Sequence, residues 1–423
     1  MPPPPPRAGK YFTHIVVLIQ ENRSFDNLFA TFPGADGATR GKMKVLEGSK
    51  YVDKWTTLRP HALLMRTDLN HCHAAFVTAY DGGKMDGFNL EHTNVCGAGQ
   101  PAGTLPYQYV DPSQIRPYWE LAQQYVLADH TFQTQGSGSF IAHQDLIRGG
   151  TEINSSESLI DNPTAPPWGC DAPTNTVTSL ITTEGKYLKN QGPFPCLSYP
   201  TLRDLLDGAQ LPWKYYAPAV GQSIAGDLFN PFDAISAVRN GPEWATNQTS
   251  PETKIFRDVA NDSLPCVAWV VPDYANSDHP GNQSDTGPSW VAQVVNAIGE
   301  SPSWKTTAIV IVWDDWGGLY DHEAPPFLDE QGGLGFRIPM LVVSPYAKAG
   351  YVSHARYEFG SIVRFIEDNW RLGRLGTTDV RSADFVHDFF DFTQHRKFVP
   401  IRSEYSRPYF LDRAPSNRAV DDE

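Results

Sequence analysis

Four short apolar runs, each ending abruptly in polar or acidic residues, constrain this chain more than any other feature. They span residues 14–19, 264–271, 306–313 and 338–343. They run respectively into Gln20-Glu21-Asn22-Arg23, Pro272-Asp273, Asp314-Asp315-Trp316-Gly317-Gly318 and Ser344-Pro345. Runs of this length, rich in valine and isoleucine and lacking polar alternation, belong to strands covered on both faces. Segments 290–298 and 360–370 carry apolar residues at i, i+3 and i+4, the spacing of helices with one buried face. Strands alternating with helices predict an α/β fold built on a mainly parallel central sheet with helices on both faces. Ligands in such sheets bind beyond the carboxyl ends of the strands, so Glu21-Asn22 and Asp314-Asp315 stand where a site would form.

The 35 prolines, 34 glycines and 12% aromatic residues suit long, rigid, irregular connections over that scaffold. We read a disordered proline-rich tail at 1–10 and a single domain over 11–423, with a loop-rich insertion around 151–251. Within the insertion, Trp213-Lys214-Tyr215-Tyr216 is expected to return to the sheet, and the aromatic segment 386–392 to pack across the domain. No apolar run approaches the roughly 20 residues needed to cross a bilayer, so no transmembrane segment is expected. A formal net charge of -14, with no dense Lys/Arg run, excludes a nucleic-acid partner. An anionic substrate would then need local positive charge, which a metal ion supplies. The cysteines, Cys72, Cys96, Cys170, Cys196 and Cys266, form no CxxC, which excludes a zinc cluster and a thioredoxin-type motif. A Cys170–Cys196 disulfide would staple a loop without its own core, while five reduced thiols in a cytosolic enzyme fit the same count. The start shows no charged region followed by an apolar one, hence no secretory signal.

Three constellations carry chemistry. Glu21-Asn22 and Asp314-Asp315, if brought together at neighbouring strand ends, would place three carboxylates side by side. Like charges that close need a cation, and oxygen ligands suit a hard or borderline divalent ion. Taken separately, the same residues are ordinary helix caps. In Gln135-Gly136-Ser137-Gly138-Ser139-Phe140, glycines around Ser137 permit a tight turn, and Ser139 can open a helix whose N-terminus welcomes a phosphate oxygen. The spacing is not the GxSxG of an acyl hydrolase. Taken alone it is a turn. His71 and His73, His279 in Asp278-His279-Pro280, and His322 after Asp321 lie beside acidic or glycine-rich loops, where imidazoles can donate protons to a leaving oxygen or to phosphoryl oxygens.

At these residues the chain resembles the phosphoesterase family of bacterial phospholipases C and acid phosphatase A, a branch of the alkaline-phosphatase-like superfamily. The resemblance is carried by residues 14–29 with Glu21-Asn22-Arg23-Ser24-Phe25-Asp26, by Gly82-Gly83-Lys84-Met85-Asp86-Gly87-Phe88 and by residues 138–144. It continues through Asp278-His279-Pro280, through residues 313–322 with Asp314-Asp315-Trp316-Gly317-Gly318-Leu319-Tyr320-Asp321-His322, and through residues 337–345. It implies an alkaline-phosphatase-like three-layer sandwich with long irregular loops. It further implies one divalent metal ion (Ca, Mg, Mn or Zn) on Glu21, Asn22, Asp314, Asp315 and Ser139, with Ser139 also the nucleophile. His279 matches a leaving-group acid and His71 a residue lining the phosphate pocket. His322 matches an outer partner holding an aspartate, and Asp321, His73 and His143 fall to the pocket or its surroundings. Asp-Asp at 314–315 is more like the acid phosphatase side, since phospholipase C members often carry Asp-Glu there. Many members have Gly-Pro-Ser where this chain has Ser137-Gly138-Ser139, and Ser139 takes the nucleophile's place.

The activity this implies is metal-dependent hydrolysis of phosphate esters through a phosphoserine on Ser139. The alternatives are a phospholipase C cleaving phosphatidylcholine-type lipids and, in another class, an inactive phosphate- or metal-binding module. The expected partner is a small phosphoester or a phospholipid. Family members are often exported by a twin-arginine signal. A periplasmic or secreted location with the leader absent from this chain is therefore expected, the cytoplasm being the alternative. Metal identity, substrate and oligomeric state are not written in the sequence.

Overall fold

The strand-like runs form a single eight-stranded sheet, because residues apolar on every side can be buried only between two layers. The computed structural model describes residues 6–94, 96–221, 228–326 and 333–416. The sheet's strands, numbered along the chain, are β1 (His14–Gln20), β2 (Val126–Phe132), β3 (Trp213–Tyr216), β4 (Gln248–Thr249), β5 (Val267–Val270), β6 (Thr307–Trp313), β7 (Arg337–Val343) and β8 (Tyr351–Glu358). Their spatial order is β4-β3-β5-β1-β6-β7-β2-β8. Every residue of β1, β5, β6 and β7 is buried, as expected for strands covered on both faces.

Among the helices that frame the sheet and its strand ends are α1 (Phe25–Phe29), α2 (His73–Tyr80), α3 (Arg116–Gln124), α4 (Ser139–Arg148), α5 (Gly287–Gly299) and α6 (Phe359–Trp370). Four of them pack in two pairs, α4 with α6 and α3 with α5, giving the three-layer arrangement. Their apolar faces and the strands share one continuous core. The aromatic segment near the C-terminus packs into it as expected, with Phe390 against Phe12 and Phe365.

The sheet is mainly parallel, as expected, but one strand is reversed. β7 runs antiparallel to both neighbours, β6 and β2, whereas all other pairings are parallel. Ser344-Pro345 therefore lies at the end of the sheet remote from the other strand termini, and the Ser344 hydroxyl donates to Thr307 O at the start of β6 (3.1 Å). A fully apolar strand reads the same in either direction, so the pattern carried no polarity.

Two further expectations change. Residues 1–5 of the proline-rich start lie outside the described residues, but residues 7–10 are held. Trp370 Nε1 donates to Arg7 O (2.9 Å) and Lys10 N to Asn369 O (2.5 Å). The 151–251 region is more regular than its composition suggests. It supplies an antiparallel sheet between Glu152 and Leu188, and β3 and β4 complete one edge of the central sheet. β3 is the expected return of residues 213–216. Disulfides join Cys170 to Cys196 and Cys72 to Cys96, and Cys266 is a buried free thiol.

Candidate active site

The register of β1 on β6 builds the centre of the site. His14 pairs with Thr307 and Gln20 with Trp313, so the next residues, Glu21 and Asp314, emerge side by side. β2 ends at the same edge and leads through residues 133–138 into α4, which opens with Ser139. Glu21, Asn22, Asp314 and Asp315 are completely buried, and Ser139 is 2% exposed.

Asn22 occupies the left-handed region (φ 53°), which a non-glycine residue adopts only when its surroundings hold it there. Its backbone N–H donates to Asp314 Oδ1 (3.0 Å). Its side-chain amide donates to His71 Nε2 (2.7 Å), and lies 3.2 Å from Asp315 Oδ2 and 3.3 Å from Ser139 Oγ. The Ser139 hydroxyl donates to Asp315 Oδ2 (3.0 Å). Gly317, at φ 60°, passes directly over Asn22, where a Cβ would stand 2.3 Å from the Asn22 carbonyl oxygen. Only glycine combines that conformation with that approach.

The two serines of the turn separate cleanly. Ser137 Oγ accepts from Asp161 N (2.9 Å) and donates to Asp161 Oδ1 (3.3 Å), so it ties the turn together. Ser139 faces the carboxylates. His73 Nδ1 donates to Gly136 O (2.9 Å), bracing the same turn from outside the cluster.

His71 donates Nδ1–H to Leu69 O (2.7 Å), which leaves Nε2 to accept from Asn22, with Asp315 Oδ2 at 3.6 Å. His143 stands closer than its sequence position indicated. Its Nε2 donates to Glu21 Oε1 (3.0 Å), and Glu21, His143 and Asp314 bring one ligand atom each within 4.8 Å of one another. The His279 ring lies 5.7 Å from that of His71, its Nδ1 donating to Pro280 O (2.5 Å) with Asp68 Oδ2 at 3.6 Å.

Asp321 and His322 do not reach this cluster. The positive-φ pair Gly317-Gly318 turns the chain away, and both residues brace α1. Asp321 accepts from Asp26 N (3.0 Å) and from Arg337 Nε (2.9 Å), while His322 Nδ1 meets Asp26 Oδ2 at 2.8 Å. The aspartate that His322 holds is thus Asp26. Residues that sequence reasoning missed clamp the His279 loop: Gln20 accepts from Asp278 N (3.0 Å), and Arg23 Nε donates to Asp278 O (2.7 Å). Tyr118 and Trp313 donate to Asp278 Oδ2 at 2.7 and 3.1 Å. A buried arginine next to a strand end was the available signal for Arg23.

The electrostatics of the cluster are unfavourable without a cation. Burial drives Glu21 well above the ordinary carboxylate range, against hydrogen bonding from Asp314. Burial and the charge of Glu21 lift Asp314 to about 7. Burial lifts Asp315 to about 7 as well, opposed by His71 and reinforced by Asp314. Glu21 Oε2, Asn22 Oδ1 and Asp314 Oδ2 are buried without a hydrogen-bond partner. Orphaned oxygens on three adjacent carboxyl and amide groups are the donor set of a hard or borderline divalent ion, and the residues fit one.

An α/β sheet with buried carboxylates gathered at its strand ends is a scaffold that fits a divalent metal ion. Residues 12–373 match the model of the Phosphoesterase family, and the chain belongs to that family. It is similar to the non-hemolytic phospholipase C of Burkholderia pseudomallei, at 26% identity over 419 residues covering 84% of this chain and 54% of that one. Phospholipase C B of Mycobacterium tuberculosis is 26% identical over 404 residues, covering 84% of this chain and 72% of the relative. The chain thus spans about half the length of the first of these relatives. Among solved structures, a protein in the alkaline phosphatase superfamily from Vibrio parahaemolyticus aligns with a TM-score of 0.41 at 10% identity, covering 90% of this chain and 72% of that one.

Proposed function

We propose that the protein hydrolyses phosphate esters, with a divalent cation held by Glu21, Asn22, Asp314 and Asp315 and with Ser139 as nucleophile. The observation that carries this reading is the hydrogen bond of Ser139 Oγ to Asp315 beside three buried oxygens, on Glu21, Asn22 and Asp314, that lack partners. Bound there, the cation supplies positive charge to phosphoryl oxygens and favours the Ser139 alkoxide.

The remaining steps belong to the chain's own groups. The Ser139 proton is aimed at Asp315 Oδ2, which accepts it as Oγ attacks phosphorus. The Oγ–P bond forms as the P–O bond to the alcohol breaks on the opposite side, and His279 gives the departing oxygen its proton. The N-terminus of α4, which opens at Ser139, turns the positive end of its helix dipole toward the phosphoryl charge, and His71 acts through the Asn22 amide that donates to it. Water then attacks the phosphoserine from the vacated side, releasing phosphate and restoring the hydroxyl. Asn22 is positioned by His71, and Glu21 by His143.

Turnover of p-nitrophenyl phosphate and p-nitrophenylphosphorylcholine, with added divalent metals, tests the reading. Ser139→Ala is expected to lose about 10^4-fold or more in kcat with the fold intact, while Ser137→Ala stays within about tenfold. A Ser139→Ala enzyme that kept most of its turnover would sink the proposal. A second reading, cleavage of a lipid phosphodiester, is favoured by the similarity to two phospholipases C. The ratio of the two substrates' kcat/KM discriminates a monoesterase from a diesterase.

A further inference from the structure

The segment most at odds with the chain's overall character is an antiparallel hairpin formed by Arg40–Glu47 and Lys50–Thr57. The whole chain carries a formal charge of -14, yet between residues 40 and 57 five basic side chains (Arg40, Lys42, Lys44, Lys50, Lys54) stand against two acidic ones (Glu47, Asp53).

The hairpin is two-sided. Its register pairs Lys42 with Trp55 and Leu46 with Tyr51, and directly paired residues share a face. On the opposite face Gly41 lies against the Tyr320 ring, where a Cβ would come within 2.6 Å, and Met43 packs on the small core of Phe76, Phe88, Trp316, Tyr320 and Phe336. Tyr107 OH donates to Lys42 O (2.7 Å) and anchors the base. That core adjoins the site, because Trp316 follows Asp315 and Phe76 packs on Gly136 of the serine turn.

The outward face is apolar and basic together. Leu46, Tyr51 and Trp55 are 59%, 56% and 61% exposed, too much for side chains with a packing role in this molecule. The Arg40 guanidinium stands 5.3 Å and the Lys42 ammonium 5.7 Å from the centre of the Trp55 ring, so cationic heads ring an exposed indole. Trp and Tyr at the rim of an apolar tip, interleaved with Lys and Arg, is the composition that partitions into the headgroup layer of a bilayer. With about 3.3 Å per residue, the five steps from Gly41 to Leu46 carry the tip roughly 17 Å beyond its anchor on Tyr320.

We propose that this hairpin docks the protein onto an anionic lipid surface, inserting Leu46, Tyr51 and Trp55 at headgroup level while Arg40 and Lys42 meet lipid phosphates. Docking would bring the Ser139 site to esters borne on that surface, a consequence that rests on the phosphoesterase reading of that site. Local basicity explains how a strongly acidic protein can approach a negative membrane, since charges beyond about 10 Å are screened at physiological salt while the hairpin's own are in contact.

The test uses the full chain with two kinds of vesicle, pure phosphatidylcholine and phosphatidylcholine mixed with phosphatidylglycerol, in a flotation assay at low and high salt. Binding to the anionic vesicles is expected to exceed binding to neutral ones and to weaken with salt. Tyr51→Ser/Trp55→Ser and, separately, Arg40→Glu/Lys42→Glu are each expected to lower it by about tenfold or more. Hydrolysis of soluble p-nitrophenylphosphorylcholine by these variants is expected to equal wild type, while hydrolysis of vesicle phospholipid falls with binding. Equal binding to both vesicle types, or unaltered binding by both double variants, would overturn the proposal. A wild-type dimer that Tyr51→Ser/Trp55→Ser turns into a monomer, seen by light scattering, would also overturn it by showing that the face joins two copies. Failure of the phosphoesterase reading itself would show as absent turnover of every soluble ester, whatever the vesicles do.

Discussion

Two buried acidic clusters sit within a few residues of each other in sequence, and they solve the same electrostatic problem in opposite ways. Around Arg337, the carboxylates of Asp26 and Asp321 are paired to a resident guanidinium at 3.2 and 2.9 Å, with His322 closing the group. Around Asn22, Glu21, Asp314 and Asp315 have imidazoles, amides and the Ser139 hydroxyl for company, with no resident cation among the described residues, and three oxygens lack partners. The consequence shows in the acids themselves. Burial raises all three acids, but Arg337 opposes the rise at Asp321, whereas the charge of Glu21 adds to it at Asp314 and that of Asp314 adds to it at Asp315. A cluster that carries its own cation is a structural brace. One that is left a cation short is suited to receive one.

The contrast is sharpest if each cluster is neutralised in turn. Asp314→Asn is expected to cut turnover by about 10^3-fold or more, with metal affinity falling in a calorimetric titration. The metal-free variant should nevertheless be more stable than metal-free wild type, by roughly 1–3 kcal/mol at pH 8, because one repelling buried charge is gone. Chelation of the wild type should abolish activity and leave the fold standing. If Asp314→Asn instead destabilised the apo protein, the cation-deficient description would be wrong.

Arg337→Met should do the reverse. Its loss leaves Asp26 and Asp321 with only His322 as counter-charge and should cost about 3–5 kcal/mol in denaturant unfolding. Metal affinity in whatever folds should be near wild type. A large change in affinity with little loss of stability would show that the brace belongs to the site.

Gly317 divides the two regions, turning the chain from Asp315 toward Asp321. Gly317→Ala forces a Cβ to 2.3 Å from the Asn22 carbonyl oxygen and occupies a positive φ. We expect about 2 kcal/mol of destabilisation and a loss of activity in larger proportion, since Asn22 must shift. Circular dichroism melting beside kcat separates the two effects.

The two clusters also differ in pH dependence, and the windows are distinct. Asp314 and Asp315 have folded values raised to about 7, above the unfolded value of about 3.9. Their contribution is fully present below the unfolded value and is lost as pH rises through 7, so the metal-free protein should melt earlier at pH 8 than at pH 5. Saturating metal should remove that slope. For His322, burial works against the charged ring, but hydrogen bonding and charge from Asp26 raise it to about 9. Its contribution is complete below about 6.5 and disappears as pH passes 9. His322→Gln should flatten the melting curve between those limits and leave the lower window unchanged.

Much of this was legible from residues alone. The runs ending at Gln20 and Trp313 announced buried strands, and the acids after them announced where a ligand would bind, because burial on both faces and a polar stop are local properties of a sequence. The return of residues 213–216 to the sheet was visible for the same reason. The direction of β7 was not, nor the departure of Asp321 and His322 from the cluster, nor the contact of His143 with Glu21. Residues 7–10 were misread as a loose tail because their hydrogen bonds go to Asn369 and Trp370, some 360 positions away.

The sequence by itself determined the family, the strand ends and the kinds of side chain that meet there, since each depends on a motif or a periodicity spanning a few residues. Only the tertiary structure decided which of those side chains share one cation-deficient pocket and which are neutralised by Arg337. That choice turns on the register of β1 against β6 and on a glycine turn between them and Asp321, and register and turn are relations between segments nearly 300 residues apart.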